Sequence, residues 1–146
     1  MMSAATAPWL PLPRGGRVEY LDLTECRRLL ASASVGRLGF TAAGSPRIVP
    51  MNFELVREAL FLRTTPDGEV ARWALDHEVC FEVDHIDDFL QAGWSVLVTG
   101  HLEQPSPAVI GSLDVRDLPA PWPGGIKSLL VELPMTRVTG RRVHPS

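Results

Sequence analysis

The chain has 146 residues, 45% of them hydrophobic and 21% charged, with a formal net charge of −3. That length and balance suit one hydrophobic core and exclude a chain kept disordered by polar excess. The fourteen Lys and Arg are dispersed apart from Arg141 and Arg142, which excludes the basic footprint of a nucleic-acid binder. No apolar run approaches a membrane span and the start lacks a signal-peptide layout, so a cytoplasmic location is expected.

Residues 1–20 carry Pro8, Pro11, Pro13, Gly15 and Gly16 and are expected to form an arm over the surface, leaving 21–146 as the domain. Leu23, Cys26, Leu29, Leu30 and Ala33 then recur at helical spacing behind the possible caps Asp22 and Thr24, which predicts a helix ending near Ser34. Val35 to Thr41 and Pro46 to Leu55 read as strands joined by a hairpin at Ala43-Gly44-Ser45, and Ala59 to Thr65 as a third strand. Val70, Trp73, Ala74 and His77 share a helical face, which predicts a short second helix between Pro66 and Asp76.

Glu78 to Asp84 alternates Val79, Phe81 and Val83 with polar residues and predicts a strand with one buried face. Gly93 to Glu103 predicts another, ended by Pro105 and Pro107. Residues 106–116 allow a weak helix, Pro119 to Gly125 form a loop, and a last strand runs from about Ile126 to Thr139. Six mostly antiparallel strands with two short helices suggest a small Greek-key barrel. Cys26 and Cys80, each among core-type neighbours, are expected to be reduced and buried.

The usual catalytic signatures are missing. His77, His85, His101 and His144 lie far apart with no metal-ligand spacing, so no metal is expected. There is no glycine-rich phosphate loop after a strand and no serine elbow between glycines. No catalytic side chain is singled out.

Three stretches stand out instead. In Arg47-Ile48-Val49-Pro50-Met51-Asn52-Phe53 a proline interrupts an apolar strand, removing a ladder donor. The break is either a bulge at a barrel corner, or a place where free backbone groups and Asn52 meet the edge of a planar heterocycle. In Leu62-Arg63-Thr64-Thr65-Pro66-Asp67-Gly68 a strand runs into a helix start. Arg63, the hydroxyls of Thr64 and Thr65 and the amides near Gly68 could seat a phosphate, or the stretch is an ordinary capped turn. In Gly93-Trp94-Ser95-Val96-Leu97-Val98, Trp94 suits a ring, an interface or the core rim.

Taken in order, these residues resemble the flavin-binding split-barrel superfamily of pyridoxamine 5′-phosphate oxidase, and most closely its small branch of nitroimidazole-resistance-like proteins. The resemblance covers residues 20 to 143. It is carried by Val35-Gly36-Arg37-Leu38-Gly39, Ile48 to Phe53, Leu62-Arg63-Thr64, Phe81-Glu82-Val83-Asp84, Gly93 to Val98 with Gly100, and Arg137 to Arg142.

It implies a mainly β split barrel that forms a homodimer with two FMN sites, each built from both chains. Val49, Pro50, Met51 and Asn52 would face the isoalloxazine edge, Arg63 and Thr64 the phosphate, and Trp94 with Ser95 the interface side, with Trp122 as a cover. Relatives commonly carry a small residue and then a lysine after the strand–helix turn, where this chain has Gly68 and Glu69. A glutamate there repels a phosphate unless it turns away.

The function so implied is FMN-dependent oxidoreduction of a small molecule, in which the flavin carries the chemistry and the protein supplies position and electrostatics. A deazaflavin or haem on the same barrel, a non-catalytic flavin-storage protein and a cofactor-free dimeric module are the alternatives. Optical spectra and turnover separate them.

Overall fold

The computed structural model describes residues 16–120 and 129–145. Eight strands run as β1 (Arg17–Leu21), β2 (Val35–Ala42), β3 (Ser45–Val56), β4 (Ala59–Thr64), β5 (Glu78–Asp87), β6 (Ala92–His101), β7 (Leu129–Pro134) and β8 (Arg137–His144). Every pairing is antiparallel, in the order β1-β8-β6-β5-β2-β3-β4-β7. The sheet curls into a half-barrel. Two α-helices, α1 (Leu23–Ala31) and α2 (Pro107–Ser112), complete the main elements. The expected mainly β split barrel is therefore present, with eight strands among the described residues where six were expected.

Both added strands have a physical origin. Residues 17–20, expected to belong to the arm, form a strand with Leu21 that pairs with β8 from Arg17 opposite His144 to Leu21 opposite Gly140, and residues 1–15 of the expected arm lie outside the described residues. Its Pro- and Gly-rich approach hides a short strand whose apolar residues are too few to reveal a period. The expected last strand is in fact two. β7 pairs with β4, the chain turns at Met135 and Thr136, and β8 returns between β6 and β1. Residues 126–128, assigned to that strand, lie outside the described residues, as does Trp122.

Asp22 caps α1 by accepting from the Glu25 amide at 2.8 Å, and Cys26, Leu29 and Leu30 form its buried side. The β2–β3 hairpin turns on Ala43 and Gly44, both at positive φ (50° and 78°), which matches the right-handed twist of the strands it joins. The expected helix at 66–76 shrinks to a single π turn at Val70–Ala74, where the Leu75 amide reaches back to the Val70 carbonyl. Its apolar face is real, since Val70 and Ala74 are buried, but it is one turn long.

Alternation along the strands builds the core. Leu38, Phe40, Met51, Phe53, Val79, Phe81, Val83, Val96 and Val98 point inward, and Phe53 meets Phe81 edge to face at 5.2 Å between ring centres. Gly36 is required beneath that pair, because a Cβ there would run into the Phe81 ring. Cys26 is buried as expected. Cys80 is only half-buried, because it faces outward from β5.

Candidate functional site

The proline-interrupted stretch sits where β3 changes partner. Residues from Ser45 to Asn52 pair with β2, those from Phe53 to Val56 pair with β4, and the Phe53 amide donates to the Ser34 carbonyl at 3.0 Å. Pro50 lies opposite Arg37, next to this corner, where a missing N–H costs the sheet least. The corner lies beside the proline, but the expected bulge is absent: the β2–β3 register runs unbroken through Pro50, and the pleat places the neighbouring side chains on two faces.

The pleat sorts the expected site residues. Met51 is buried in the core and Val49 packs against it, while Pro50 is exposed and Asn52 half-buried on the outer side. Thr64 is buried, whereas Arg63 and Thr65 face the other way. On β6, Trp94 packs against the core and Ser95 belongs to the opposite face with Leu97. Pro50, Asn52, Arg63, Thr65 and Ser95 therefore share the outer surface; Val49, Met51, Thr64 and Trp94 support it from within.

Asn52 and Arg63 come together. Continuing the register by one step beyond Phe53 opposite Leu62 aligns them across β3 and β4. They also hold consecutive carbonyls of one segment: Arg63 Nε donates to Pro119 at 3.0 Å and Asn52 Nδ2 to Ala120 at 3.4 Å. Among the described residues Arg63 is engaged through Nε, and a guanidinium can offer its terminal fork to a bidentate anion.

The helix start expected to add amides to this seat is reduced to the single π turn. The Gly68 amide is already given to the Thr65 carbonyl at 3.1 Å. What remains of the seat is Arg63 with the Thr65 hydroxyl. Glu69 is turned aside: its carboxylate accepts from Arg47 Nε at 3.0 Å. Arg47 stands opposite the buried Phe40, on the other side of β3 from Pro50 and Asn52.

One cluster on the outer face was missed by sequence reasoning. Arg37 Nη1 bridges Glu82 at 3.2 Å and Asp84 at 3.1 Å. A single guanidinium thus serves two carboxylates, and Glu82 is pushed up to about 7 by burial, by its hydrogen bond to Asp84 and by that neighbour's charge, against the opposing pull of Arg37. The alternation of Glu82 and Asp84 was visible in the strand pattern. Their partner was not, because it depends on the β2–β5 register that sets Arg37 opposite Glu82. Among the described residues no helix is long and apolar enough to cross a membrane, and no three His, Cys, Asp or Glu side chains gather as a metal site.

Comparison with known proteins agrees with this architecture. An uncharacterized protein of Mycobacterium tuberculosis is 34% identical over 138 residues, covering 90% of each chain. The solved FAD-binding protein from Mycobacterium smegmatis is 28% identical, with a TM-score of 0.67 over 86% of this chain and 98% of its own. A solved protein from Corynebacterium glutamicum is also 28% identical, with a TM-score of 0.73 over 88% of this chain and 95% of its own. The family model for pyridoxamine 5′-phosphate oxidase matches residues 22–142, and the chain belongs to that family.

Proposed function

We propose that this protein is a flavoprotein that binds FMN on the outer surface around Pro50, Asn52 and Arg63 and uses it in oxidoreduction of a small molecule. The observation that carries the reading is the alignment of Asn52 with Arg63 at the β3 corner. An amide that can both donate and accept suits the edge of a flavin ring, and a guanidinium fork one strand away suits a phosphate. Thr65, exposed two residues further along, can add a hydroxyl. The similar FAD-binding protein of M. smegmatis favours a flavin and makes FAD the second candidate.

The residues present fit the group. The site offers one cation for a phosphate, and the carboxylate that could repel it, Glu69, is neutralised by Arg47. A bound flavin supplies hydride or electron transfer; the chain's own residues bind and orient it. In the same reading the protein is a cytoplasmic homodimer, with each site completed by the second subunit.

The test is an absorption spectrum of the purified protein after gel filtration with FMN, FAD or a deazaflavin. Retained FMN bands are expected. A protein that keeps only FAD or a deazaflavin would correct the cofactor, and one that keeps none would overturn the reading. Retention without turnover on any reductant would leave a storage protein in place of an enzyme.

A further inference from the structure

The outer side of β4 and β7 carries a separate cavity, on the side of the β3–β4 turn. Strand register sets Phe61 opposite Glu132 and Ala59 opposite Pro134, and an isolated bridge joins Glu132 to Glu103. Phe61 is buried yet takes no part in the core cluster. It lies instead in the wall of a cavity of about 510 Å³, a size usual for small-molecule pockets, together with Val56, Ala59 and, from α2, Val109. Pro50, Asn52 and Arg63 are not among the residues that line it.

Two opposite charges face this cavity, and the protein answers neither. Glu132 is 9% exposed, the one buried carboxylate among the described residues. Burial and the neighbouring Glu103 charge push its carboxyl up, and among the described residues no hydrogen bond or cation pulls it back. A carboxylate in such a place costs stability until a cation meets it. Arg57 stands exposed at the rim, where its guanidinium donates to Ser112 Oγ at 2.7 Å and joins no carboxylate among the described residues. Glu58, another acid on this cavity, is already held by Arg27 at 2.9 Å.

The turn itself singles out Arg57. Its φ of 53° lies in the left-handed region that glycine or asparagine fills at lower cost, and Arg27 Nη2 donates to its carbonyl at 2.7 Å. An arginine in that conformation points to a task for its side chain.

We infer that this cavity binds a small zwitterion of the amino-acid kind, with its ammonium group on Glu132, its carboxylate on Arg57 and its apolar side chain against Phe61 and Val109. A simple amine would meet Glu132 and leave Arg57 unanswered. A polyamine would bring a second cation against Arg57, and a carboxylic acid would set like charge against Glu132. A ligand with both charges on one apolar body complements the inner end, the rim and the wall together. The inference is independent of the flavin reading.

The experiment is calorimetric titration of the full chain with L-leucine, with isoamylamine, which lacks the carboxylate of leucine, and with isocaproate, which lacks its ammonium group. Leucine should bind, isoamylamine should bind about tenfold more weakly, and isocaproate should not bind. Glu132→Gln should weaken both leucine and isoamylamine by about tenfold or more, whereas Arg57→Ala should weaken leucine alone. Glutamine keeps the shape and removes an unanswered buried charge, so Glu132→Gln should melt no lower than the parent, and leucine should raise the melting temperature of the parent but not of the variant. Val109→Trp, which fills the cavity from α2 and leaves both charges in place, should also abolish leucine binding. A parent that does not bind leucine, isocaproate binding as tight as that of leucine, or undiminished leucine affinity in any of the three variants would overturn the inference, whatever the protein does with FMN.

Discussion

The two faces of the β5–β6 ladder are made by the same backbone and have opposite tasks. Val79, Phe81, Val83, Val96 and Val98 on the inner face are all buried and uncharged, while the outer face carries Glu82, Asp84, Ser95 and Leu97. The inner face is what the fold needs. The outer face breaks that economy, holding two carboxylates on one guanidinium beside exposed apolar side chains, and residues that cost stability without filling a core point to function.

Breaking the inner face should have the largest effect. Phe81→Ala removes the ring that packs on Phe53 and over Gly36, and is expected to destabilise the fold by about 3–5 kcal/mol in urea unfolding. A loss below about 1 kcal/mol would mean that the core collapses around the gap. On the outer side, Arg63→Ala should leave stability almost unchanged and weaken FMN binding by about 1.5–3 kcal/mol, roughly 10- to 150-fold, in a fluorescence titration. Unchanged affinity would take Arg63 out of the site.

Smaller effects sharpen the contrast. Glu82 holds its proton to about pH 7 in the folded monomer, against an ordinary value of 4.5. Folding therefore takes up a proton between those values, and the stability from protonated Glu82, fully present below pH 4.5, is lost as pH rises through about 7. Melting temperature of the protein should fall across that window, and Glu82→Gln should flatten the fall. A slope that survives would assign it to another group. The smallest change is expected from Arg47→Ala, which breaks a half-exposed ion pair and should cost no more than about 1 kcal/mol in thermal or urea unfolding.

Much of the fold was legible because strands with one buried face announce their period. β2 to β6 lie within a few residues of where alternation put them, and the Ala43-Gly44 turn was signalled by its own chemistry. β1 and the split between β7 and β8 were not, since five residues are too short for a period and a turn at Met135-Thr136 carries no glycine. The π turn had the right apolar face and the wrong length. At the site, residue types marked the stretch around Asn52 and Arg63, but nothing local told which side chains of each strand share a face.

That division has one cause. Residue identity and spacing alone determined what depends on a few neighbours along the chain: strand or helix, hairpin or loop, and the types of groups available to a cofactor. Tertiary structure decided what depends on register and on the partner strand, because moving a strand by one residue exchanges its faces. Arg37 beside Glu82 and Asp84, Glu69 turned to Arg47, Asn52 level with Arg63, and Glu132 level with Phe61 all follow from pairings between residues distant in the chain.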